Sequence, residues 1–168
     1  MRKLTHKQVR QKWLNITEQS MAMNERNDCS VKAVALATGV TYRASLDAHI
    51  DNGRRHRQGT PLTVTMRALK DLGFWPNELP EDERPKTIRS CQAELRTSNR
   101  YLVLVYNHFV AQVSGLVMCH TKNRLHRVKR IWRIAPMTSP QQKHDHQFQQ
   151  MLRERIRRIN DPLDPLKG

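Results

Sequence analysis

In the stretch NERNDCSVKA (24–33), Asn27 and Asp28 are good helix caps, and Val31, Val34, Ala35 and Ala37 then recur at helical spacing until Gly39. This spacing puts Cys29 in the first turn of a helix, where free N–H groups and the helix dipole favour a thiolate. The same position also suits an inert, buried thiol, so the chemistry depends on a base. A thiol nucleophile needs one within hydrogen-bond reach, usually a histidine oriented by a third group. Of the eight histidines, His108 stands apart because it interrupts the apolar run VLVYNHFVAQV instead of lying in a basic loop. For the third group, a two-residue turn at Ser114-Gly115 sets His108 opposite Thr121, and a loop one residue longer sets it opposite His120. Asn123 has suitable chemistry but lies near the strand end. His120 is the first choice.

The surrounding pattern must bring these residues together. Residues 3–20 carry Leu4, Val9, Trp13 and Ile16 near one helical stripe, with Lys and Arg on most of the rest. A short helix is expected over 41–53, with Leu46 and Ile50 four apart, and a basic loop, RRHRQGT, over 54–60. After Pro61, Leu62, Met66 and Leu69 share a helical face that Gly73 ends. The proline-rich, acidic PNELPEDERP (76–85) is expected as an exposed connection, followed by a short helix over 86–96. RYLVLVYNHFVAQVSGLVMCHT (100–121) reads as a β-hairpin turning at Ser114-Gly115, and RLHRVKRIWRI (124–134) as a third antiparallel strand. Phe148, Leu152, Ile156 and Ile159 mark a basic amphipathic helix that ends before Pro162. Helices followed by a small antiparallel sheet make an α+β fold. The expected organisation is a basic N-terminal helical arm (1–20), an α+β domain (21–136), and a basic C-terminal helix and tail (137–168). The cleft for any chemistry is expected between the Cys29 helix and the hairpin.

Thirty Lys and Arg against fifteen Asp and Glu give a net charge of +15. Such an excess favours polyanions through counterion release, whether nucleic acid, a ribonucleoprotein or an acidic protein surface. No stretch approaches the roughly 20 apolar residues of a membrane span, and the basic N-terminus lacks the apolar segment of a signal peptide. The three cysteines, Cys29, Cys91 and Cys119, argue against a paired disulfide framework and for a reduced, cytoplasmic protein. Cys119, His120, His126, His144 and His146 show no CxxC or comparable ligand spacing, so neither a metal nor another cofactor is expected.

NDCSVKAVALATGVTY, Gly59-Thr60 before a further helix, and RYLVLVYNHFVAQVSG together resemble the papain-like cysteine peptidase fold. The pattern resembles more closely that of small papain-like proteins of bacteriophages, and more distantly that of the peptidase domains of bacteriocin exporters. The resemblance spans about Asn24 to Ile134, outside the basic ends. It implies Cys29 as nucleophile and His108 as base. The family's oxyanion-holding Gln has no counterpart: Gln19 is too far upstream, Met23 occupies the usual position, and Asn24 supplies amide chemistry one residue later. It also implies a phage protein that acts in the bacterial cytoplasm or travels in a virion. The competing expectation is a catalytically inactive scaffold of the same fold that uses its basic segments to engage nucleic acid, a ribonucleoprotein or a host protein.

Overall fold

The computed structural model of the chain describes residues 3–119 and 125–159. The chain divides into two compact units, residues 1–136 and 137–168.

The first unit is α+β, with helices on both faces of a five-stranded antiparallel sheet. Helix α1 (His6–Ala22) starts at a capping box: Thr5 Oγ1 accepts the Gln8 N–H at 3.2 Å, and Gln8 Oε1 accepts the Thr5 N–H at 2.9 Å. The basic segment expected as an arm is this helix, and its stripe Val9, Trp13 and Ile16 is buried in the main core. Helix α2 (Cys29–Thr38) is buried at every position after Cys29. Its VKAVALA sequence can therefore lie at the centre of the unit, between α1, α3 (Tyr42–Asp51), α4 (Leu62–Asp71) and the sheet. It stops at Gly39, whose φ of 86° closes the helix in the left-handed region.

The strands are β1 (Phe74–Glu78), β2 (Arg100–Val105), β3 (His108–Val113), β4 (Leu116–Met118) and β5 (Arg130–Pro136), in the order β1-β5-β2-β3-β4. Side-chain alternation divides the core in two. Leu102, Phe109, Ala111, Val113, Trp132 and Ile134 pack with α1–α4. Tyr101, Val103, Val105, Val110, Val117 and Ile131 face Ile88, Cys91 and Leu95 around helix α5 (Ile88–Glu94).

Three expectations change. Residues 100–113 form two strands, because the chain turns at Tyr106-Asn107 with Asn107 at φ 49°. Residues 74–78, partly assigned to an exposed connection, form the edge strand β1, which pairs along its length with β5. The antiparallel strand expected over 124–134 runs from Arg130 to Pro136 and lies between β1 and β2.

The second unit contains helix α6 (Pro140–Ile159), on which Phe148, Met151 and Ile156 are exposed. Among the described residues, no helix is long and apolar enough to cross a membrane.

Candidate active site

Cys29 opens α2 behind a loop held by two asparagines in the left-handed region, Asn24 (φ 51°) and Asn27 (φ 53°). Asp28 occupies the cap position but does not cap the helix through its side chain. Its carboxylate turns inward instead. It accepts Ser20 Oγ–H at 2.6 Å and Tyr42 O–H at 2.7 Å, and pairs with Lys32 Nζ at 3.0 Å. Burial opposes this charge, yet the hydrogen bonds from Ser20, Tyr42 and Lys32 hold the carboxyl below its ordinary range. Burial and the same carboxylate push the Tyr42 hydroxyl upward. The Asp28 carboxylate thus ties the start of α2 to Ser20 of α1 and Tyr42 of α3, with Lys32 one turn along α2 as its counter-charge.

The Cys29 sulfur rests against the beginning of β3, where the Phe109 N–H donates to Sγ at 3.5 Å. His108 is the residue before. Across one peptide unit, that contact puts the His108 Cα within about 6 Å of the sulfur. Strand alternation sends Phe109, Ala111 and Val113 toward α2 and leaves His108 in the other set, with Val110 and Gln112. His108 is half-buried and its Nε2 is shielded from solvent. Burial pushes the Cys29 thiol up, and the Asp28 charge adds to the rise against the pull of the Phe109 and Ser30 N–H groups. Desolvation thus opposes the pull of the first-turn amides toward a thiolate.

Asn24 is exposed. Its N–H donates to Met21 O at 2.9 Å, and its carboxamide makes no hydrogen bond among the described residues. His120, Thr121 and Asn123 lie outside the described residues. Among the described residues, no group of three or more His, Cys, Asp or Glu is placed to hold a metal.

The basic loop over 54–60 is tied to the same region. Arg54 is fully buried, with Nη2 donating to Glu25 Oε2 at 2.7 Å and to Arg26 O at 3.3 Å. The Arg57 N–H reaches the same carboxylate at 3.3 Å, and Asn27 Nδ2 donates to Arg57 O at 3.2 Å. One arginine of this loop is thus an internal strut for the segment leading into Cys29. Sequence reasoning missed both this strut and the Asp28 cluster. The spacing of Asp28 and Lys32, four apart on one helix, was the available signal for the cluster.

No family model matches the chain, and no curated protein or solved structure is significantly similar to it.

Proposed function

We propose that this protein is a papain-like cysteine hydrolase acting on a peptide or related amide, with Cys29 as nucleophile and His108 as general base. The observation that carries the reading is the 3.5 Å contact between the Phe109 N–H and Cys29 Sγ, which brings the start of α2 against the strand residue next to His108. Burial pushes the thiol up, so the reading has His108 assist the departure of its proton. His108 takes the thiol proton as Sγ attacks the carbonyl carbon, then returns it to the leaving amine, and water hydrolyses the thioester with His108 again as base. The reading requires the imidazole to reach the sulfur around the end of β3. The Cys29 backbone N–H is the oxyanion donor, and the exposed Asn24 carboxamide is the candidate for a second. His120 is the proposed orienting group. By the resemblance, the proposal extends to a phage protein at work in the host cytoplasm.

A small activated ester, p-nitrophenyl acetate, tests this without knowledge of the natural substrate. An acetyl adduct is expected on Cys29 by mass spectrometry, with turnover lost in Cys29→Ala and reduced about 100-fold or more in His108→Ala. Turnover that survives in Cys29→Ala overturns the proposal. The second reading, an inactive scaffold that engages a polyanion, is favoured by the burial that pushes the Cys29 thiol up and by the net charge of +15.

A further inference from the structure

On the α5 side of the first unit, residues 84–87 run beside residues 127–129. The Val128 N–H donates to Lys86 O at 3.0 Å, and Thr87 bridges Arg127. A cavity of about 540 Å³ opens here, lined by Glu81, Arg84, Lys86, Arg127 and Lys129 with flanking residues. Arg84 is structural: its guanidinium donates to Leu79 O at 2.8 Å, Lys129 O at 3.1 Å and Glu78 Oε1 at 3.0 Å. Lys86, Arg127 and Lys129 are exposed, and none of them makes an ion pair among the described residues. Among the described residues, Glu81 is the one carboxylate in the lining, against these three cations.

An aromatic ring adjoins them. Tyr106, at the tip of the β2–β3 turn, is 71% exposed although Lys129 Nζ stands 4.8 Å from its ring centroid. The cation covers one side of the ring and leaves a face open to a flat ligand.

We propose that this groove binds single-stranded nucleic acid, with Lys86, Arg127 and Lys129 taking backbone phosphates and Tyr106 stacking a base. An acidic peptide would satisfy the cations but leave the tyrosine face unused, and a duplex keeps its base faces stacked inside. Binding in this groove does not depend on the chemistry of Cys29.

The test is fluorescence anisotropy of labelled oligothymidylate (20 nucleotides) with the full chain over a salt series, beside a labelled 20-residue polyglutamate. Lys86→Gln/Arg127→Gln and Tyr106→Ala are each expected to weaken oligothymidylate binding about tenfold or more, whereas Tyr106→Phe keeps it. The double variant should also flatten the salt dependence by about 0.7 in slope per cation removed. A charge-matched change on α6, Arg153→Gln/Arg155→Gln, should bind like the unaltered protein. The proposal is overturned if the groove variants bind as tightly as the unaltered protein, or if the α6 variant loses as much as the groove variants. It is equally overturned if polyglutamate binds as well as the oligonucleotide and Tyr106→Ala changes nothing, which would identify an acidic protein as the partner. Circular dichroism of each variant, with Tyr106→Phe, separates lost binding from lost folding.

Discussion

Asp28 shows how one side chain sets both the stability and the reactivity of the residue beside it. Its carboxylate holds Ser20, Tyr42 and Lys32 below the helix start, and its charge helps keep the Cys29 thiol protonated. Asp28→Asn breaks the ion pair to the buried Lys32, at a cost of about 3–5 kcal/mol that denaturant unfolding would read. The thiol of Cys29 in that variant should titrate lower, because a negative charge has left its surroundings. His49 gives a separate pH signature. Its Nδ1 meets Ser45 O at 2.7 Å, the ring is fully buried, and burial with the nearby Arg54 charge lowers its pKa to about 4. The unfolded chain binds this proton from pH 6.5 downward and the folded chain does not, so stability is full above 6.5 and is lost as pH falls toward 4. That loss is roughly 3 kcal/mol by linkage. Asp28 and Glu25, both held below their ordinary values, add their losses only at lower pH. Thermal melts of the protein and of His49→Gln between pH 7 and 4.5 check this: the slope in that window should shrink in the variant.

Among the elements, α2 depends most on its two ends. A Cβ at Gly39 would stand 3.1 Å from Arg100 Nη1, which donates to Ala37 O, in a backbone conformation that L side chains rarely adopt. Gly39→Ala should destabilise by about 1–2 kcal/mol, and the same substitution at exposed Gly59, where the Cβ meets nothing, should not. Helix α1 belongs to the same core, so Trp13→Ala should cost about 3–5 kcal/mol in chemical denaturation. Most helices were legible because their apolar spacing and stop residues are local. The strand β1 was not: FWPNE is short and carries Pro76, which an edge strand tolerates but which reads as a break. The Tyr106-Asn107 turn lacks glycine, so nothing local divided the apolar run. The place of β5 beside β2 follows from long-range packing of Ile131, Trp132 and Ile134 on two faces, which no local spacing encodes. For the site, the order of Cys29 and His108 could be read from the chain. The inward turn of Asp28 could not, because it depends on Tyr42 and Ser20 arriving from other helices.

At the scale of the whole molecule, the charge of +15 is not uniform in its use. Arg54 and Arg84 brace loops internally, Lys32 serves the Asp28 cluster, and Lys86, Arg127 and Lys129 line the groove with exposed side chains. The β2–β3 turn carries a residue of each candidate site: Tyr106 on the groove, and His108 next to Phe109, whose N–H meets Cys29 Sγ. The central claim is that Cys29 and His108 act as a pair, and the most direct measurement is the rate of iodoacetamide alkylation of Cys29 against pH. It is made in a Cys91→Ala/Cys119→Ala background, with and without His108→Ala, after circular dichroism has confirmed folding. The account expects a thiol titrating above the ordinary value of about 8.5, with a neutral-pH rate that falls about tenfold when the imidazole is removed. Identical rates and identical pH profiles with and without His108 would contradict it.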